Sequence, residues 1–127
     1  YVLTGNDCDD VNQNAFPGAV EICDGIDNNC NAINDDNAVD ATTWYLDLDA
    51  DGFGNPAATI LSCNQPNGYV ANNLDCNDNN LNINPNTIWF EDNDGDGFGN
   101  ASVTTSSCTQ PAGYTANNTD CNDNNPN

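Results

Sequence analysis

Every formal charge on this chain is negative: 20 Asp and Glu side chains, no Lys, Arg or His, and a net charge of −20 over 127 residues. A folded surface ordinarily intersperses both signs, so an ordered structure here needs a countercharge that no side chain can supply. The acids also fall in short alternating runs, as at Asp47, Asp49 and Asp51 and again at Asp92, Asp94 and Asp96. Carboxylates that close together repel unless a cation lies between them. Oxygen donors at alternate positions suit a hard ion, so several calcium ions are the expected cofactors.

The chain has little with which to build an ordinary core. Four Phe, four Tyr and two Trp supply the large aromatic area, there is no Met, and the other apolar residues come in twos and threes between polar runs. Twenty-seven Asn and 10 Gly favour turns over long helices or strands. Low hydrophobicity with high net charge is also the signature of disorder. Seven cysteines and the repeated acidic clusters argue for order instead, because cross-links and bound ions can replace a missing core.

A long internal duplication organises the rest. Trp44 to Asn82 aligns with Trp89 to Asn127 at a constant offset of 45 residues, matching the GFGN runs, Gln65-Pro66 with Gln110-Pro111, and Tyr69 with Tyr114. The opening residues, Tyr1 to Asp10, resemble Tyr69 to Asp78. The expected organisation is the end of a preceding repeat over 1–16, an insert over 17–42, repeat A over 43–87 and repeat B, truncated, over 88–127. The chain then reads as a window cut from a longer array.

Cysteine spacing fits that window. Cys63 and Cys76 lie 13 residues apart, as do Cys108 and Cys121, while Cys23 and Cys30 lie seven apart. These three pairs are the expected disulfides, leaving Cys8 without a partner; a shuffled pairing such as Cys8 with Cys23 is the alternative, since spacing alone does not set connectivity. Zinc fits poorly, with no C-x-x-C and no His. Disulfides at this density imply an oxidising, extracellular or cell-surface location. The absence of basic residues excludes nucleic acid as a partner, and no apolar stretch approaches a membrane-spanning length.

Thr43–Leu46 and Thr59–Leu61 are rich in strand formers, as are Thr87–Phe90 and Val103–Thr105. Each set predicts a small antiparallel hairpin whose tip carries an acidic loop and Gly-Phe-Gly, with Trp44 near Leu61. One helical turn is expected around Ala19–Ile22. The expected fold is thus mostly irregular: calcium- and disulfide-stapled tandem repeats with short β-hairpins, elongated as a whole.

Three kinds of constellation are candidate metal sites. In the first, Asp47, Asp49, Asp51 and the Phe53 carbonyl would curl around an ion, with Gly52 at the turn; Asp92, Asp94, Asp96 and Phe98 repeat the pattern. A helix-flanked calcium loop would then place Glu where Ala58 and Val103 stand, so further ligands must come from elsewhere. The second kind can supply them: Asp75, Asn77, Asp78 and Asn80, with equivalents Asp120, Asn122, Asp123 and Asn125, and Asp7, Asp9, Asp10 and Asn12. The third lies in the insert, where Asp27, Asn29, Asn31, the Ile33 carbonyl and Asp35 alternate and Asp24 or Asp36 would complete the sphere.

These residues carry a resemblance. Pro17-Gly18-Ala19 followed by Glu21-Ile22-Cys23-Asp24-Gly25-Ile26-Asp27-Asn28-Asn29-Cys30 resembles the PGAxEICDGxDNNCDG motif of a metal-binding repeat family in bacterial secreted and surface proteins. The DxDxDGFG loops resemble thrombospondin type 3 calcium repeats, and Gly68-Tyr69 through Asp78 resembles a GYV…DCDD linking element. The resemblance implies calcium held by side-chain and main-chain oxygens, little regular structure, and roles in stalks, adhesins or surface layers. Asn31, Ala32, Asn77 and Asn79 depart from the family pattern and lower its charge. One branch of the family is associated with copper. That property is set aside on donor type, because copper favours imidazole and sulfur and His and Met are absent.

The expected function is structural: a calcium-rigidified segment of an extracellular filament, appendage or stalk, with copies of itself or neighbouring repeats as partners. The alternative is a calcium-dependent adhesion module that binds carbohydrate or protein. Catalysis is not expected, since no His, Lys or Arg is available as base, acid or electrostatic clamp. Glycans are a further partner class: Asn100-Ala101-Ser102 and Asn117-Asn118-Thr119 match the N-glycan acceptor pattern, and Thr104–Ser107 is a run of hydroxyls.

Overall fold

The computed structural model describes residues 8–122 and 124. Short strands form where β-branched and aromatic residues bunch: β1 Thr42–Leu46, β2 Thr59–Ser62, β3 Tyr69–Val70, β4 Ile88–Glu91, β5 Asn100–Ser106 and β6 Tyr114–Thr115. They make two separate three-stranded antiparallel sheets, ordered β2-β1-β3 and β5-β4-β6. The central strand of each carries the tryptophan. Trp44 sits opposite Ile60, with Leu61 one place along against Thr43. Both indole N–H groups donate to backbone across the hairpin, Trp44 to Ser62 O at 3.0 Å and Trp89 to Ser107 O at 2.9 Å. The third strands, β3 and β6, were not foreseen from sequence; two residues are too short to show a period.

Outside the sheets the buried residues are mostly polar. Among the described residues the buried apolar ones are Ala15 and Ala38, while Glu21, Asn28 and Asp78 are buried, Asn28 completely. Asn28 Oδ1 accepts Ile22 N–H at 3.0 Å, and Glu21 accepts the N–H groups of Asn29 (2.6 Å) and Asp35 (3.1 Å). Around residues 15–40 these two side chains replace a hydrophobic core by gathering otherwise orphaned backbone donors. They also displace the helical turn expected at Ala19–Ile22. Glu21 O instead accepts Val39 N–H at 2.9 Å, tying the segment to a distant strand of chain.

No strand of one sheet contacts a strand of the other. The accessible surface is 8169 Å² for 13.5 kDa, against about 6,500 Å² for a compact monomer of that mass. The molecule is elongated, mostly irregular and β, and held by three disulfides.

Those disulfides are Cys8–Cys30, Cys23–Cys63 and Cys76–Cys108, with Cys121 free and exposed. None of the three pairs expected from spacing forms. The reason is the unforeseen third strand. Cys63 follows β2 and Cys76 follows β3, and these strands flank β1 on opposite edges. Ser62, before Cys63, pairs with Thr42 at the start of β1, whereas Asp75, before Cys76, is held by Gly54 O beside Tyr45 near its end. The same holds for Cys108 after β5 and Cys121 after β6. Cys23 and Cys30 also part, each bonded to a more distant partner, Cys63 and Cys8. Cys8 finds its partner at Cys30, which overturns the expectation that it has none.

Candidate metal centres

Strand β1 ends at Leu46, and the chain curls through Asp47–Gly54 before Asn55 N–H returns to Leu46 O at 2.8 Å. Ala50 (φ 64°) and Gly52 (φ 89°) take the left-handed conformations that this curl requires. Each aspartate spends one oxygen on the loop backbone. Asp47 Oδ2 accepts Gly52 N–H at 3.1 Å, Asp49 Oδ1 accepts Asp51 N–H at 3.2 Å, and Asp51 Oδ1 accepts Phe53 N–H at 2.8 Å. The other oxygens, Asp47 Oδ1, Asp49 Oδ2 and Asp51 Oδ2, are buried and have no hydrogen-bond partner. One ligand atom from each of the three residues lies within 4.8 Å of the others.

A fourth carboxylate joins them. Asp75 N–H donates to Gly54 O at 3.1 Å, and Asp75 Oδ1 accepts Asn77 N–H at 2.8 Å, leaving Asp75 Oδ2 buried and unpartnered. Its charge acts on Asp49. Asp78 holds the two segments together rather than offering a free oxygen: 8% exposed, it accepts Leu48 N–H at 2.8 Å and Asn55 Nδ2 at 3.2 Å. Asn77 and Asn80 turn their side-chain oxygens to the N–H groups of Asn79 and Asn82.

The second sheet builds a related cluster. Asp92, Asp94 and Asp96 offer ligand atoms within 4.8 Å of one another, and Asp120, through its N–H to Gly99 O at 3.3 Å, is placed as Asp75 is. Asp94 Oδ2 and Asp120 Oδ2 are buried and unpartnered. Gly95 stands where the first loop has Ala50, and its N–H donates to Asp92 Oδ1 at 2.8 Å while Gly97 N–H donates to Asp92 Oδ2 at 3.1 Å. Asp92 therefore has both oxygens engaged, and this cluster has fewer free donors than the first. Asp96 Oδ1 accepts Phe98 N–H at 2.9 Å, and Asn122 N–H donates to Asp120 Oδ1 at 2.7 Å. Asp123 and Asn125 lie outside the described residues.

The other candidates do not converge. In the insert, Asp27 accepts Asn31 N–H and Ala32 N–H, Asp35 accepts Asp24 N–H and Gly25 N–H, and Asp24 accepts Ile26 N–H. Asn31 bridges Ile33 N–H and Asp36, Asn29 donates its N–H to Glu21, and Ile33 is exposed. The alternation predicted as a cation loop caps backbone amides here. Near the start, Asp9 accepts Val11 N–H, Asn12 accepts Asn14 N–H and Asp10 is exposed; Asp7 lies outside the described residues. Among the described residues, only the two triads gather three acids. Glu21 stands in the Pro17–Cys30 motif, but its role in gathering the Asn29 and Asp35 amides is not legible from spacing.

Burial, reinforced by repulsion from Asp51 and Asp75, raises the Asp49 carboxyl above its ordinary value of 3.8. Burial likewise raises Asp94, with Asp96, Asp120 and Asp92 adding repulsion. A raised acid favours the protonated form in the folded chain, so its contribution to cation-free stability is present below 3.8 and lost as pH rises through the raised value. Asp49→Asn removes that loss. Cation-free, this variant should melt above wild type at neutral pH, with the gap closing below 3.8; a gap independent of pH would place the strain elsewhere. With cation present the order should reverse. Asp49→Ala should weaken the first site by at least about tenfold, the scale at which even supporting groups act. Asp40→Ala, whose carboxylate caps Cys23 N–H away from the cluster, should leave it unchanged. Calorimetric titration of both variants is the check, and equal affinities would remove Asp49 from the site.

A family model for a metal-binding motif, Cu-binding_MopE, matches residues 7–36, 75–88 and 120–127. No curated protein and no solved structure matches the chain. The matched segments contribute Asp75 and Asp120 to the two clusters, while both triads lie outside them. The match corrects the expectation of calcium, since it names copper. Setting copper aside on donor preference was the error: for a given oxygen site, affinity along the first-row divalent series still rises to Cu²⁺. The buried, unpartnered carboxylate oxygens fit a divalent cation, which would be held by Asp47, Asp49, Asp51 and Asp75 and by Asp94 and Asp120 with their neighbours.

Proposed function

We propose that this chain is a cation-ordered, disulfide-stapled structural segment of an extracellular filament, appendage or stalk. One observation carries the reading: four carboxylates, Asp47, Asp49, Asp51 and Asp75, bury unpartnered oxygens in a chain without a single cationic side chain. Such a cluster orders when a divalent cation enters it, and the matched motif makes Cu²⁺ the first to test. Two further features support a mechanical role over a catalytic one. The sheets make no contact with each other, and the bridge Cys76–Cys108 runs from the segment after the first sheet to the end of β5 in the second. Three disulfides favour an oxidising location outside the cell, and copies of this chain or adjoining segments would be its partners. Among the described residues no helix is long and apolar enough to cross a membrane.

Small-angle scattering of the cation-loaded chain tests the shape. A compact chain of this length has a radius of gyration of about 14 Å; the proposal requires a clearly larger value and a rod-like distance distribution. A sphere at the compact radius would instead favour an adhesion module. That second reading rests on an open depression of about 460 Å³ beside the first loop, lined by Asp47, Gln65, Pro66 and Tyr69.

A further inference from the structure

Asn72 and Asn117 lie 45 residues apart and stand at corresponding places beside the two acidic loops, yet their carboxamides are used differently. Asn72 Oδ1 accepts the N–H groups of Gly54 and Leu74, both at 3.3 Å, and Nδ2 donates to Gly52 O at 2.8 Å. In the second sheet the corresponding carbonyl, Gly97 O, takes the Thr115 hydroxyl at 3.2 Å instead. Thr115 stands where the first sheet has Val70. Asn117 Oδ1 accepts both Thr119 N–H (2.9 Å) and Thr119 Oγ1–H (2.6 Å), and Thr119 stands where the first sheet has Leu74. Asn117 Nδ2 makes no hydrogen bond among the described residues.

Two differences between the sheets thus act together. Thr115 takes over the bond that would occupy the amide nitrogen, and Thr119 completes Asn-x-Thr with its hydroxyl on the carboxamide oxygen. The main chain stays anchored, since Asn117 O accepts Gly99 N–H at 2.8 Å, while Ala116, Asn118 and Thr119 are exposed. We propose that Asn117 is an N-glycan acceptor built into this fold. Its Nδ2 forms a bond to the anomeric carbon of a polyprenyl-diphosphate-linked oligosaccharide. The carbon–oxygen bond to the diphosphate breaks, polyprenyl diphosphate leaves with the electron pair, and one Nδ2 proton passes to a basic carboxylate of the transferase. The other Asn-x-Ser lacks this arrangement. Asn100 lies in β5 opposite Glu91, and its turn to Ser102 N–H repeats that of Asn55 with Ala57, which has no hydroxyl.

The test uses the oxidised full chain, an oligosaccharyltransferase and its lipid-linked donor. A synthetic peptide spanning 112–122 shows that the enzyme is competent. Lacking Lys and Arg, the chain is cleaved with chymotrypsin after Tyr114, and the site is read as heavy-oxygen aspartate after enzymatic release of the glycan. Modification at Asn117, lost in Asn117→Gln and in Thr119→Val, is expected. A folded chain left unmodified under conditions that modify the peptide would overturn the proposal, as would undiminished modification of Thr119→Val. Leu74→Thr creates a second Asn-x-Thr at Asn72, where Nδ2 is held by Gly52 O. Occupancy there should be several-fold below that at Asn117, and equal occupancy would show that freeing the nitrogen selects nothing.

Discussion

Removing the bound cation should abolish the ordered environment of both tryptophans and most of the β signal in circular dichroism. Trp44 and Trp89 each lie three residues before the first aspartate of a loop, in the central strand of their sheet. Without a cation, the buried carboxylate oxygens of Asp47, Asp49, Asp51 and Asp75 have no donor to replace lost water, a costly state for any charged group. The rest of the chain cannot absorb that cost, because among the described residues the buried apolar ones are two alanines. Each site filled at a hundredfold excess over its dissociation constant adds about 2.7 kcal/mol of stability by mass action, a large share of what a domain this small possesses. Chelator titration followed by tryptophan emission should therefore show a cooperative loss of structure, reversed by adding divalent cation, with Cu²⁺ included in the series. Spectra unchanged at full chelation would sink the proposed role for the clusters.

Gly54→Ala should produce a second large effect, through space and not through backbone conformation. A Cβ at Gly54 would lie 2.4 Å from Tyr45 Cβ, 2.5 Å from Asn72 O and 2.9 Å from Val70 Cγ2. Tyr45 is in β1 and Val70 in β3, so the new methyl separates these strands. It also displaces Gly54 O, which receives Asp75 N–H and positions the fourth carboxylate. Overpacking of this kind costs about 1–3 kcal/mol and sometimes more. The variant should melt well below wild type and lose affinity at the first site by about tenfold, the equivalent of about 1.4 kcal/mol. Gly99→Ala should act likewise in the second sheet, where the methyl would meet Phe90 Cβ at 2.5 Å and Asn117 O at 2.7 Å. Gly52→Ala is the control. It meets no atom within 4 Å but sits at φ +89°, a left-handed conformation costing about 1–2 kcal/mol. Gly52→Ala should therefore lose stability but not first-site affinity through Asp75; an affinity loss equal to that of Gly54→Ala would mean that close packing at Gly54 is not what positions the fourth carboxylate.

Donor type alone does not set which cation these clusters take. Oxygen ligands at alternate positions argue for a cation, and the buried oxygens of Asp49 and Asp94 are consistent with one. The same oxygens do not discriminate among divalent ions strongly enough to name one. The matched motif, which reaches the clusters at Asp75 and Asp120, is named for copper, an ion the donors alone did not single out.

What sequence by itself determined is what acts over a few residues. A carboxylate reaches the N–H two or five positions ahead, so the loops at Asp47–Gly54 and Asp92–Gly99 curl from their own composition. β-Branched and aromatic runs likewise locate the strands of each hairpin. Tertiary structure decided everything that depends on which edge of a sheet a segment reaches. Adding β3 and β6 to the far side of β1 and β4 put cysteines 13 residues apart out of reach, redirecting them to Cys23 and to each other as Cys76–Cys108. The same additions brought Asp75 and Asp120 to the loops through Gly54 O and Gly99 O, while acidic residues of the insert cap neighbouring amides at its surface. Spacing along the chain records none of this, because an acidic side chain satisfies a backbone donor as readily as a cation, and only the placement of its neighbours determines which it meets.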